Sequence, residues 1–224
     1  MEYAQAATIL IVKSKSMLNL PSVVRPSHTI LLALVRCAVF CLGIAASVSH
    51  ATEALAWQAL RQGGMVIFRH ANAPGVGDPQ GMELGDCSTQ RNLDEVGRQQ
   101  ASQLGERLRQ QKIRVAQVLS SQWCRTLETA KLMALGPVQG EAVFNPFFGD
   151  RTSEPAQTAA AQKLLHNWQS KNKGRGSLVV VTHQVNITAI TGLTPASGEG
   201  VVLQRKGSRS FVIGFETAAY LTGI

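Results

Sequence analysis

Arg69-His70, Arg125 and Thr182-His183 are the residues of this sequence whose types could do chemistry together. Each follows a short apolar run: Met65-Val66-Ile67-Phe68 before the first pair, Val115–Ser120 upstream of Arg125, and Leu178-Val179-Val180-Val181 before the last. Arginine stays charged at any working pH and pairs bidentately with phosphate oxygens. A neutral imidazole is a competent nucleophile, and a second one can donate a hydrogen bond to a developing oxyanion. The set therefore suits phosphoryl transfer, with one histidine attacking phosphorus while Arg69, Arg125 and the other histidine bind the non-bridging oxygens. A helix beginning near Arg125 would turn its free N–H groups toward the same anion. The remaining histidines do not join this set. His28 and His50 fall in the N-terminal segment, and His166, beside Asn167 in an expected helix, reads as a surface or packing residue.

These side chains converge only if the elements beneath them are adjacent strands. The three apolar runs read as buried strands, with Val201–Leu203 and Phe211–Phe215 as two closing ones. Helices are expected over Leu93–Gln110, Thr126–Ala134, Ala156–Gln169 and from Val185 to Ile190, the second stopped by Gly136-Pro137. Strands alternating with helices predict an α/β fold with a mostly parallel sheet, and such sheets bind ligands at the carboxyl ends of their strands. The Gly/Pro-rich stretch Ala71–Gly85 is expected to be a loop. Within it Gly75-Val76-Gly77-Asp78 precedes no helix and lacks a following Lys-Ser/Thr, so it reads as flexible rather than nucleotide-binding. Gln90 and Arg91 could reach a phosphate from this loop or form a solvated helix entrance. Lys206–Arg209 reads as a hairpin turn.

The first fifty residues are of another kind. Thr29–Ala46 is apolar apart from Arg36, follows Lys13, Lys15 and Arg25, and precedes Ser49-His50-Ala51, the three parts of a secretory signal peptide. The expectation is cleavage after Ala51, leaving residues 52–224 as a single domain in the periplasm or outside the cell, with no stable membrane association. Arg36 counts against an uncleaved span, since charge at bilayer depth is costly. Loss of four basic residues and one acidic residue takes the formal charge from +8 to +5. No Lys/Arg run is interleaved with aromatics, so nucleic-acid binding is not expected; one small anionic phosphorylated substrate suffices as the partner. Mean hydropathy of +0.03 excludes a multi-span membrane protein. Cys37 and Cys41 leave with the signal, and the remaining Cys87 and Cys124 have no metal-ligand spacing; neither metal nor cofactor is expected. In an oxidising compartment the two can form a disulfide, which would pin Asp86–Asn92 beside the strand end at Arg125.

The motifs in order resemble the histidine phosphatase superfamily, in its phosphoglycerate mutase-like branch 1. Arg69-His70-Ala71 is similar to the family's R-H-G, and Leu93–Ala101 to its L-T-x-x-G-x-x-Q-A. Ser120–Ala130 is similar to S-S-x-x-x-R-x-x-x-T-A, and Val180–His183 to the start of V-x-H-G, with Gln184 in the place of its glycine. The short exported form with Asp86–Leu93 is also similar to bacterial phosphatases of the lipopolysaccharide-core type. The resemblance implies a three-layer α/β/α sandwich and a phosphomonoesterase working through a phosphohistidine on His70, without metal. Where the mutases carry their acidic Glu, this chain has Pro146; Asp150 and Glu154 are the nearest substitutes for a general acid. The same residues would equally serve a phosphohistidine or pyrophosphate hydrolase, and loss of the Glu leaves room for a non-catalytic phosphate- or lipopolysaccharide-binding protein.

Overall fold

The computed structural model of the protein describes residues 53–172 and 174–203 and the backbone at 220–221. The expected signal segment 1–51, the turn at Lys206–Arg209 and the strand at Phe211–Phe215 lie outside these residues. Six strands form one sheet: β1 (Met65–Arg69), β2 (Val115–Ser120), β3 (Val138–Gly140), β4 (Ser177–Thr182), β5 (Gly200–Leu203) and β6 (Tyr220–Leu221), in the spatial order β3-β2-β4-β1-β5-β6. β3, β2, β4 and β1 run parallel, while β5 and β6 are antiparallel additions at the far edge.

The alternation of side chains along the strands makes the sheet the middle of three layers. Val66, Phe68, Val118, Val179, Val181 and Val202 point to one face. There they meet a helix over 53–61 (α1), α2 (Glu95–Gln110) and α3 (Cys124–Leu132). Met65, Ile67, Leu119, Leu178, Val180 and Val201 point to the other, against α4 (Glu154–Asn172) and α5 (Gln184–Thr191). A strand covered on both faces must be apolar throughout, which is why β4 is buried at every position.

Boundaries shift in every expected helix, and α4 and α5 each run beyond their expected ranges at both ends. α2 begins at Glu95 because Asp94 is its N-cap, its carboxylate accepting from the Gly97 N–H at 2.7 Å. α3 begins at Cys124 rather than Thr126 and ends before Ala134, whose φ of 51° leaves the helical region. α1 and the short edge strand β3 were not expected. The two glycines of α2 allow close backbone approach. A Cβ on Gly97 would stand 2.0 Å from the Asn72 carbonyl, and one on Gly105 would stand 1.9 Å from that of Met133. Thus α2 presses directly on the segment after His70 and on the end of α3.

Candidate active site

Sheet register brings the three sequence-distant segments together. Arg69 pairs with Thr182 and Ser120 with Val181, so β1, β2 and β4 end level. The next residues remain tied: the His70 N–H donates to the Thr182 carbonyl and the Ser121 N–H to that of Val181, each at 2.9 Å. His70 and His183, 3% and 0% exposed, stand with ring centroids 5.5 Å apart.

Hydrogen bonds fix which nitrogen of each ring is free. Nδ1 of His70 lies 2.8 Å from the carbonyl of Ala71, to which it can only donate, so the proton sits there and Nε2 keeps its lone pair. Burial, reinforced by the charges of Arg125, Arg69 and Arg91, lowers the His70 pKa to about 3, against an opposing contribution from the Ala71 carbonyl. In His183, Nδ1 lies 3.3 Å from a guanidinium nitrogen of Arg125, which is only a donor, so Nδ1 accepts. Its Nε2–H then donates to Ser121 Oγ at 2.9 Å, and Ser121 passes its own proton to Asn145 Oδ1 at 3.2 Å. Burial first, and then Arg125, hold the His183 pKa well below its ordinary value. Both imidazoles are therefore neutral, and His70 is poised to attack.

The cations surround them. Arg125 is wholly buried at the second position of α3. Arg69, at the end of β1, donates to the Pro195 carbonyl at 3.1 Å. The Nε–H of each is buried with no hydrogen-bond partner among the described residues. Orphaned buried donors are costly, and two of them on guanidinium groups beside the paired histidines mark a seat for an anion.

Of the two carboxylates expected as acids, neither touches these side chains. Asp150 is exposed and caps a single turn at Arg151–Ser153, accepting from the N–H and Oγ1 of Thr152. Glu154 begins α4 and lies 3.8 Å from Arg151. The carboxylate that does reach the site is Asp78, from the stretch expected to be a flexible loop. Its oxygens accept from both terminal nitrogens of Arg125, at 2.6 and 3.1 Å, from the Trp123 indole at 3.1 Å and from the Arg91 backbone N–H at 3.2 Å. Four hydrogen bonds are not the environment of a free loop, and the reading of this stretch as flexible is corrected. The only sequence signal was an acid in a Gly-rich loop of a chain with two unmatched arginines.

Gln90 and Arg91, left open between ligand and helix entrance, turn out to brace this loop. Gln90 Oε1 accepts from the Cys124 N–H at 2.9 Å, capping α3 where Trp123 supplies no side-chain cap. Arg91 donates to the carbonyls of Gly77 and Ala73. Cys87 and Cys124 are joined by a disulfide. Trp123 and Phe148 present their rings edge-on to His183, with centroids 5.9 and 6.2 Å away. The same two rings, with Asp78 and Met82, line a cavity of about 510 Å³. No group of histidines, cysteines or carboxylates suited to a metal ion occurs among the described residues.

No curated protein matches this sequence. Among solved structures, the product of an open reading frame from Mycobacterium tuberculosis is 16% identical, with a TM-score of 0.50, over 73% of this chain and 98% of that one. A second, titled mycobacterial hydrolase 1, is 15% identical, also at 0.50, over 70% of this chain and 95% of its own. The protein histidine phosphatase SixA complexed with tungstate is 19% identical with a TM-score of 0.45, over 63% of this chain and 87% of that one. The first two agree with the three-layer fold. Over residues 65–148, which include His70 and Arg125, the sequence matches the model of the histidine phosphatase superfamily (branch 1).

Proposed function

We propose that this phosphatase hydrolyses a phosphomonoester in two steps through a phosphohistidine on His70. The observation that carries the reading is the free Nε2 of a neutral, buried His70 set beside the buried Arg125 and the half-buried Arg69, each with an unfilled Nε–H donor. Phosphate enters the seat with its non-bridging oxygens on Arg69, Arg125 and His183. The dianion favours a second proton on His183, turning Nδ1 into a donor while Nε2–H stays on Ser121. Nε2 of His70 then attacks phosphorus; the N–P bond forms, the P–O bond breaks, and the electron pair leaves with the substrate oxygen. Water attacks the phosphohistidine, restoring His70 and releasing inorganic phosphate. The arginines neutralise charge on the equatorial oxygens and the fixed ring geometry supplies alignment, the two contributions that dominate phosphoryl transfer. These groups do the electrostatic work a metal would otherwise do, so activity is expected to persist in EDTA.

Rapid quenching during turnover of a 32P-labelled phosphate ester tests the intermediate. Acid-labile, base-stable label on the peptide carrying His70 supports it; label elsewhere, or turnover with none, would refute it. Binding without turnover would instead mean a phosphate-binding protein.

Export is the second part of the proposal. The apolar N-terminal segment and the Cys87–Cys124 disulfide support it, because such bonds persist in oxidising compartments. Fractionation of cells producing the full chain, with sequencing of the mature N-terminus, tests it: a mature form beginning near Thr52 in the periplasmic fraction is expected, and an uncleaved cytoplasmic chain would sink it.

A further inference from the structure

Asp78 occupies a position that the phosphate needs. Its carboxylate takes the two terminal N–H groups of Arg125 in the bidentate manner a phosphate would. The ion pair is well shielded, with the Arg125 side chain unexposed and that of Asp78 12% exposed. Burial by itself would raise the Asp78 pKa, but the hydrogen bonds and charge of Arg125, with the Arg91 and Trp123 N–H groups, hold it below the usual carboxylate range. In the free protein Asp78 is thus an ionised internal ligand of the anion seat. Its backbone neighbourhood is braced by Arg91, so releasing Arg125 requires only rotation of the Asp78 side chain.

A phosphate arriving at Arg125 reverses this environment. Asp78 loses its cation, gains a dianion as neighbour, and is driven to take up a proton. Its place in the site decides where that proton can go. Contacts run in sequence from the cavity through Asp78 to Arg125, from Arg125 to His183, and from His183 to His70. His70 does not line the cavity, so a phosphate held by Arg125 and His183 is approached by His70 on one side and by the cavity on another. A leaving oxygen in line with His70 departs toward the cavity, past Asp78. Asp150 also lines the cavity, but its carboxylate accepts from Thr152, and Glu154 lies against Arg151; among the described residues Asp78 is the carboxylate bonded to Arg125.

We propose that Asp78, displaced from Arg125 by the substrate phosphate, is the proton donor to the leaving oxygen. The inference rests on the phosphohistidine mechanism above. As the N–P bond to His70 forms and the P–O bond breaks, the Asp78 O–H proton passes to the departing oxygen and Asp78 becomes a carboxylate. It then accepts a proton from the water that attacks the phosphohistidine; after phosphate leaves, it releases to solvent the equivalent of the proton taken up on displacement and returns to Arg125 as a carboxylate.

Asp78→Asn keeps the shape but cannot donate the proton. Comparing kcat/KM for p-nitrophenyl phosphate, whose leaving group needs little protonation, with that for glycerol 2-phosphate isolates the step. The alkyl-to-aryl ratio is expected to fall about 100-fold in the variant, the scale of general acid catalysis, with partial recovery of the ratio in Asp78→Glu. Removal of the internal competitor should also tighten inhibition by inorganic phosphate. Equal losses on both substrates, or phosphate inhibition no tighter than in the wild type, overturn the proposal. Should the variants fail to fold, a series of aryl phosphates with the wild type decides: a rate nearly independent of leaving-group pKa supports a proton donor, and a steep fall overturns it. Loss of this inference alone leaves label on His70 intact, whereas absence of label defeats the underlying mechanism as well.

Discussion

The site has a floor and a rim built on different principles. The floor comprises His70, Ser121, Arg125 and His183, each 3% exposed or less, placed at or just beyond the level ends of three parallel strands. Its geometry is a consequence of sheet register, and the residues beneath it are apolar on both faces. The rim consists of the long connection from β1 to α2 and the segment around Asn145–Ser153, from which Asp78, Phe148 and Asp150 project. Apolar burial orders only its ends, at Ala71, Ala73 and Leu93, and Phe147. It is held instead by side-chain-to-backbone hydrogen bonds from Arg91 and Gln90 and by the disulfide. The difference teaches a division of labour: the sheet fixes the positions of both histidines and the start of the helix that carries Arg125, while the loops line the cavity beside them.

The comparison breaks first at the floor. His70→Ala removes the nucleophile and should lower kcat by at least about 10⁴-fold, in the range for residues acting as a catalytic unit. Circular dichroism must show the fold retained, and more than a few per cent residual activity would remove His70 from its role. Arg125→Lys keeps the charge but loses the planar fork. A loss of about 10²–10³ in kcat/KM is expected, the scale for one preorganised donor of this kind. A fall below tenfold would show that the seat does not need two parallel donors.

This division also explains what could be read from the sequence. β1 and β4 were legible because strands buried on both faces leave unbroken apolar runs, against which Arg69-His70 and Thr182-His183 stand out; β2, buried only over its last three residues, left a weaker run. Arg125 was legible through its helix start. α1 is short and directly follows the cleavage signal, so the helical spacing of Ala56, Trp57, Ala59 and Leu60 covers little more than one turn. β3 has three residues and no fully buried position, too little for any periodicity. The rim fails for another reason. Asp78 meets Arg125 across 47 positions, through a loop whose path is set by Gly75 and Gly77 at positive φ and by the reach of Arg91. No local pattern encodes such a contact. Pro146 in place of the family's Glu pointed to the nearest carboxylates along the chain, Asp150 and Glu154, whereas the carboxylate bonded to Arg125 lies 47 positions before it.

The disulfide separates the two regions thermodynamically. Cys87→Ser should lower the unfolding free energy by about 2–4 kcal/mol, the usual cost of losing such a crosslink. It releases the rim from the start of α3, so proteolysis between Pro79 and Asn92 should accelerate in the native protein. An unfolding midpoint unchanged in denaturant would show that the bond contributes nothing to this fold.

Acid probes the floor without mutation. The His70 pKa is about 3 folded against about 6.5 unfolded, and that of His183 is depressed in the same direction. Between those values the unfolded chain binds more protons, so stability rises with pH there. The contribution is complete above about pH 6.5 and is lost as pH falls toward 3. Each histidine steepens the slope by about 1.4 kcal/mol per pH unit. Urea titrations from pH 7 to 4 should show this decline, reduced in His70→Ala. A flat profile across that range would mean that at least one ring is charged in the folded protein.

The smallest expected effect lies where the two regions meet. Trp123→Phe preserves a ring against His183 but removes the indole N–H that helps hold Asp78 in the seat. One hydrogen bond to a partly shielded carboxylate is worth about 0.7–1.4 kcal/mol, so the internal ligand is weakened without being removed. Inhibition by inorganic phosphate should tighten by roughly three- to tenfold, less than in Asp78→Asn, because this bond opposes the anion only through Asp78. The measurement also has a sign that packing cannot imitate. If Trp123 served only as a wall, trimming it would loosen the seat and weaken phosphate binding; a tighter variant shows that the rim competes with the ligand for the floor.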